Sequence, residues 1–286
     1  MNTSGRRRRV RRGTVVLLTG LLCLTASTAT AGIIEDVDSI TLQGRQQSRW
    51  DFSNTSGSCT IAGAFSPASD GELGDKSDAF DGGLALSVDG TAFTDSDGEI
   101  TSLGQPGPFE PTLGPEPIAG VNVTRKERAL LRTPTLRSLV GFRNNGGSPV
   151  TLTVRWDSNL GSDSSEEVRA SSSGNLSYGL GDRWVVSSDA ASGPSDPVLT
   201  FVLFGKRARE RPNLIVNNFG SGCFGVEYEV TVPANGTRYL LFFTQMNATN
   251  NAARNRAVRF NKDLSGSEFL AGLSTRVRSK ILNWDV

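Results

Sequence analysis

Carboxylates are the groups with which this chain could do chemistry. Asp157, Asp163, Asp182 and Asp189 lie beside or shortly after two tryptophans, Trp156 and Trp184. Two carboxyl groups suffice to hydrolyse a glycosidic bond, one as acid and one as base or nucleophile. A tryptophan nearby offers a sugar an apolar face. A second acidic set, Asp95, Asp97 and Glu99, alternates around Gly98. Oxygen-rich loops of this kind suit calcium, the one cofactor these residues suggest. The EF-hand pattern fails, because Phe93 and Gly104 stand where its first and last acidic ligands belong. A further group is Asp70, Glu72, Asp75, Asp78 and Asp81. Aspartate is also an ordinary turn former, so the plain reading of all these groups is solvated turns between strands.

What is missing narrows the chemistry more sharply. The chain of 286 residues contains no histidine. Ser–His–Asp and Cys–His catalysis are excluded, as are zinc sites that use imidazole. No phosphate-binding loop or dinucleotide fingerprint occurs in a strand–helix context. Carboxylate chemistry, a carboxylate-bound hard cation, or binding without catalysis remain. The balance of these readings is against an enzyme.

The first 31 residues read as a signal peptide. Arg6, Arg7, Arg8, Arg9, Arg11 and Arg12 precede an apolar run from Val15 to Leu24, and Ala29-Thr30-Ala31 fits a cleavage site. The apolar run is short of the about 20 residues a spanning helix needs. Leu22 before Cys23 does not suit lipoprotein processing, and no later segment is apolar enough to cross a bilayer. The expectation is a free protein, secreted or periplasmic, with residues 32–286 forming one domain. With the six arginines removed, 24 basic residues face 29 acidic ones, a net charge of −5. That charge argues against nucleic acid, whose binding depends on neutralising phosphates. Cys59 and Cys223 remain after cleavage, and an oxidising compartment makes a disulfide between them the expected state.

The elements that must position these groups are strands. In Leu136–Trp156, Val150, Leu152, Val154 and Trp156 fall on one face, opposite Thr151, Thr153, Arg155 and Asp157. That is period two, with Trp156 on the buried face. Before it, Val140 and Phe142 share one face, and Arg137 and Arg143 the other. Asn144–Pro149 supplies the turn, so the segment reads as a hairpin. Val226–Val232 and Arg238–Gln245 around Pro233-Ala234-Asn235-Gly236 read as a second one. Asp89-Gly90 is a two-residue hairpin turn after Leu84, Leu86 and Val88. Other strands are expected at 48–52, 59–65, 121–131, 167–170 and 183–187. Val198–Phe204, apolar on both faces, is expected to be central and covered on both sides.

Ser66–Gly83 reads as a long loop. Gly104–Gly120 holds five of the 12 prolines and reads as a linker or covering loop, not an interior strand. A short helix is expected within Asn247–Phe260. Phe269, Leu273, Val277 and Ile281, spaced by four, mark another, with Ser267 as its N-cap. The whole is an all-β chain, a large antiparallel two-sheet sandwich with a short C-terminal helix.

The segments VTRKERALLRTPTLRSLVGFRNNGGSPVTLTVRWDSNLGSD, GDRWVVSSD, DPVLTFVLFG, VTVPANGTRYLLFF and LAGLSTRVRSKILNWDV together resemble a group of uncharacterised secreted bacterial β-rich proteins. The likeness spans roughly Asp78 to Asp285. The Leu136–Trp156 segment is also similar to galactose-mutarotase-like super-sandwich folds and to sugar-processing enzymes built on them. Mutarotases use catalytic histidines, so this resemblance implies the fold and not that activity.

Two basic clusters, Lys206/Arg207/Arg209/Arg211 and Arg254/Arg256/Arg259, suit acidic glycans or phosphates if they are not simply solvated faces. The functional expectation is a secreted, non-enzymatic binding or structural module whose partner is an extracellular glycan or cell-surface component. The alternative is a carbohydrate-active enzyme with paired carboxylates.

Overall fold

The computed structural model describes residues 32–34, 39–43, 47–53, 59, 61, 64–95, 100–102, 110–162, 165–189 and 195–286. The putting together of strands begins with β1 (Gly32–Ile34), β2 (Ser39–Gln43), β3 (Ser48–Ser53) and β4 (Ser66–Leu73). Next come β5 (Ala85–Val88), β6 (Thr91–Ala92), β7 (Ile100–Ser102), β8 (Pro111–Ile118), β9 (Val121–Ala129) and β10 (Thr135–Arg143). The rest are β11 (Val150–Asn159), β12 (Glu167–Ser171), β13 (Trp184–Ser188), β14 (Val198–Val202), β15 (Leu214–Asn218), β16 (Cys223–Val232) and β17 (Thr237–Asn247). Two short helices follow, α1 (Asn250–Ala257) and α2 (Thr275–Arg278).

The strands form a sandwich. A nine-stranded sheet runs β1-β7-β8-β9-β10-β17-β14-β13-β12, a five-stranded sheet β15-β16-β11-β5-β6, and a three-stranded sheet β2-β3-β4. One apolar core joins the layers: Val140, Phe142, Phe201, Leu240 and Phe242 from the large sheet meet Leu152, Trp156, Phe224, Tyr228, Trp50 and Phe52. Trp156 is fully buried and stacks on Phe242 at 5.2 Å. The large sheet is covered on its other face too. Leu139, Val186, Val202, Leu241 and Phe243 pack beneath Ala253, Phe260, Phe269, Leu270, Ile281 and Trp284. Every residue of β14 is therefore buried, as its two-faced apolar sequence predicts.

The two expected hairpins are arches. β10 pairs with β9 and β17, and β11 with β16 and β5, so β10 and β11 lie in opposite sheets. β16 and β17 are likewise split between the layers. The two turns hold each other: Asn144 N–H donates to Gly236 O (3.0 Å) and Asn235 N–H to Gly146 O (3.0 Å). Period-two patterning fixes which face is apolar but not whether that face meets a strand beside it or a sheet opposite. A six-residue turn spans the about 10 Å between packed sheets. The two-residue Asp89-Gly90 turn cannot, and β5–β6 is a true hairpin with φ of 48° and 77° at those residues.

Other expectations change. Ser66–Leu73, read as loop, is strand β4, while the described residues of 59–65 are not in a strand. Pro111–Ile118 is strand β8, inside the large sheet between β7 and β9. Its prolines are tolerated because β7 pairs only with Thr112 and Pro111, and the β9 register shifts between Leu113 and Glu116. Gly114 sits at that bulge with φ +76°, where a Cβ would fall 2.7 Å from Val123 O. The four-spaced apolar stripe near the C-terminus is not one helix. Gly272, at φ +80°, separates a 3₁₀ turn (Glu268–Leu270) from α2, and Ser267 makes no side-chain cap. The helix expected within 247–260 is α1, capped by Thr249 Oγ1 on Ala252 N–H.

Two arginines are fully buried, one of them, Arg137, on the face expected to be polar. Arg137 lies under the C-terminal segment, donating to Glu110 (2.6 Å) and to Phe269 O and Ala271 O. Arg125, with Glu127, occupies the inward face of β9 between the sheets.

Candidate functional site

The candidate carboxylates do not converge. Asp157, expected on the wet face of β11, is fully buried. It faces Gly225 across the β11–β16 ladder, where any Cβ would press on its own Cβ at 2.7 Å. Arg155 approaches it at 3.7 Å. Asp182 is buried as the organiser of the 172–182 loop, accepting from Ser173 N (2.7 Å), Ser172 Oγ (3.2 Å) and Gly179 N (3.1 Å). Asp189 accepts from the backbone and hydroxyl of Ser195. Asp95 accepts from Gly114 N at 2.7 Å and, with Glu116, staples the 94–95 turn to β8. Asp163, Asp97 and Glu99 lie outside the described residues. Among the described residues no three His, Cys, Asp or Glu side chains group closely enough to hold a metal ion.

Glu166 and the core residue Glu127 are both carboxyls raised by burial, and Glu166 is the one near the sheet edge. Glu166 is buried just before β12, and burial raises its pKa to about 7, with the charges of Asp189 and Asp196 adding to the rise. Ser162 Oγ donates to its Oε2 at 2.6 Å.

A groove of about 750 Å³ lies where the edges of the two larger sheets meet. β12 closes the nine-stranded sheet and β15 the five-stranded one, so neither has a neighbour in its sheet on that side. Glu167, Val168 and Arg169 of β12 form one wall, and Asn218, Phe219 and Gly220 at the end of β15 the other. Leu176 and Ser177 of the Asp182-organised loop and Asn250 of α1 complete it. Leu176 is 74% exposed, the most exposed large apolar side chain described. Phe219 is buried and stacks on Phe224 at 5.2 Å, a rigid floor. Arg169 is held by Glu167 (2.7 Å) and Ser188 Oγ (3.0 Å), so its planar donors are fixed in place.

The disulfide anchors this wall. Cys59 and Cys223 are bonded, and Cys223 begins β16 directly after the Phe219–Ser221 turn. The Cys59–Cys223 pairing is the site-related expectation that the structure places as read. The groove residues Arg169, Leu176, Ser177, Asn218 and Asn250 escaped the sequence reading. The available signal was Leu176, a lone apolar residue in the polar run SSSGNLSYG.

The groove can do hydrogen bonding and apolar contact: a guanidinium, a carboxylate, a hydroxyl and two amides surround Leu176 and Phe219. Its one acid is ion-paired with Arg169 and stands without a second carboxyl in the lining. Among the described residues no helix is long and apolar enough to cross a membrane.

No protein-family model matches the chain, and no curated protein matches it in sequence. Solved structures match it at low identity. A candidate aldose 1-epimerase from Klebsiella pneumoniae is 10% identical, with 77% of this chain and 82% of that one covered and a TM-score of 0.40. The Slr1438 protein of Synechocystis sp. PCC 6803 is 10% identical, with 77% and 99% covered and a TM-score of 0.46. A polysaccharide lyase is 12% identical over 79% of this chain and 35% of its own, with a TM-score of 0.42. Likenesses this distant transfer neither an activity nor a site residue to this chain.

Proposed function

We propose that this protein is a non-enzymatic, exported binding module that takes a glycan in the groove between β12 and β15. The lining of that groove carries the reading. Guanidinium, carboxylate, amide and hydroxyl groups around Leu176 and Phe219 suit the hydroxyl rows and apolar faces of a sugar. The volume of about 750 Å³ suits a short oligosaccharide. The single lining acid, already paired, argues for recognition without turnover. Export rests on the charged, apolar and A-x-A pattern of residues 1–31.

The test is a glycan-binding screen with the mature chain, repeated with Leu176→Asp. Leu176 is so exposed that this change leaves folding intact. Binding to a glycan that drops at least tenfold in Leu176→Asp, with no hydrolysis of it, is expected. A screen with no binder, or binding indifferent to the substitution, removes the reading.

The raised pKa of Glu166 favours a second reading, a carbohydrate-active enzyme with Glu166 as general acid and Asp189 as the second carboxyl. Turnover of any glycan that is abolished by Glu166→Gln would establish it over the first.

A further inference from the structure

A second depression lies on the far side of the nine-stranded sheet, where part of the first basic cluster meets Lys262. The loop after β14 brings Lys206 and Arg207, and the turn after α1 brings Asn261, Lys262 and Asp263, over a floor of Gly205, Leu264 and Trp284. The space is about 320 Å³, room for a single sugar ring and its substituent.

Its lining sets three cations, Lys206, Arg207 and Lys262, against two carboxylates, Asp263 and Asp285, and both carboxylates are engaged. Arg207 Nε is paired with Asp285 at 2.8 Å. Asp263 is engaged by Ser265 N–H at 2.8 Å, which holds its carboxyl below the usual range. Neither the Lys206 nor the Lys262 ammonium has an ion-pair or hydrogen-bond partner among the described residues. Asn261 is fixed from behind: its Oδ1 accepts from Arg183 Nη2 (2.7 Å) and Trp184 Nε1 (3.0 Å). That orientation leaves its Nδ2 as the donor for a ligand. Trp284 is anchored by Nε1–H to Leu241 O at 2.7 Å, and only a thin edge of its ring is open. Three other arginines of the clusters are engaged elsewhere, and Arg254 and Arg259 do not line the depression. Arg209 holds Ser279 O and Ile281 O, Arg211 lies 5.6 Å over Phe204, and Arg256 binds Asn247 Oδ1.

We infer that this depression is a second binding site, for the anionic substituent of an acidic extracellular glycan, with Lys206, Lys262 and Asn261 as its donors. That the anion is carried on a glycan rests on the reading of the groove; the convergence of donors does not.

Titration calorimetry with three oligosaccharides of matched length tests it: one bearing uronic acids, one sulfated and one neutral. An acidic oligosaccharide is expected to bind about tenfold tighter than the neutral one. That advantage shrinks as salt is raised. It is expected to vanish in Lys206→Gln/Lys262→Gln with an unchanged melting temperature, since both lysines are exposed. The carboxylated and sulfated arms show which substituent the site takes. An advantage that is absent, or that survives the double substitution, overturns the inference. Neutral and acidic binding that are equal and both lost in Leu176→Asp would overturn it while leaving the groove reading in place. Acidic binding lost with the lysines but not with Leu176→Asp would support it and overturn the groove.

Discussion

Removing Arg125 alone should destabilise the protein more than removing Arg125 and Glu127 together. Both side chains are fully buried between the sheets. Arg125 meets Glu127 Oε1 through Nε (3.1 Å) and Nη2 (3.0 Å), and gives Nη1–H to Leu84 O at 2.9 Å. Glu127 Oε2 accepts from Ser138 Oγ. Burial lowers the pKa of Arg125 and raises that of Glu127 to about 7, so desolvation outweighs the attraction between them. Arg125→Met leaves the Leu84 carbonyl without its donor, costing about 1–3 kcal/mol. It also strips Glu127 of its counter-charge, for a total of about 3–5 kcal/mol near neutral pH.

The pH dependence follows from the sign of the Glu127 shift. Its pKa is higher folded than unfolded (4.5), so stability is lost as pH rises from about 4.5 to about 7. Without Arg125 the folded pKa rises further, and the loss continues at about 1.4 kcal/mol per pH unit beyond 7, where the wild type levels off. Arg125→Met/Glu127→Leu removes both charges and should lie within about 2 kcal/mol of the wild type. Urea melts at pH 5, 7 and 8.5, followed by fluorescence of the buried Trp50 and Trp156, measure all of this. A double variant as unstable as the worse single one would refute the reasoning, as would a pH-independent cost of Arg125→Met.

Further outcomes follow from other parts of the fold. Cys59→Ser/Cys223→Ser opens a link across a sequence separation of 164 and should lower stability by about 5 kcal/mol on the chain-entropy account, seen in denaturant midpoints with and without reductant. Glu166→Gln should flatten the decline in melting temperature between pH 5 and pH 8, since a carboxyl raised to about 7 contributes about 3 kcal/mol of that decline. Gly205→Ala would set a Cβ 2.7 Å from Cε3 of the anchored Trp284 and should cost about 1–3 kcal/mol in thermal unfolding.

The strands were largely legible because alternation is a local property. Trp156, Tyr228 and Val230 are buried where their spacing puts them. Pairing was not legible, because the apolar face of β11 finds its complement in Phe242 of another strand in another sheet. Arg137 and Asp157 fall on the face that their polarity marks as wet, yet a later segment covers Arg137 and the Gly225 notch encloses Asp157. Composition cannot announce a cover supplied by residues 132 and 134 positions away. The prolines of β8 misled for a related reason: they forbid a strand only where neighbours need their missing N–H, and half of β8 has β9 alone. The groove was hidden because it is made of two sheet edges that the chain visits far apart, at 167–169 and 218–220.

The paired arches carry a consequence for how the molecule comes apart. Each arch lends one strand to each sheet, and the two turns are bonded to one another. Neither sheet can lose its middle strands without tearing the other's. The amide protons of β10, β11, β16 and β17 are therefore expected to exchange with solvent at a single free energy, that of global unfolding, while those of β12 and β15 exchange through smaller openings. The groove thus borders the part of the molecule freest to breathe, and the stapled centre behind it behaves as one indivisible body.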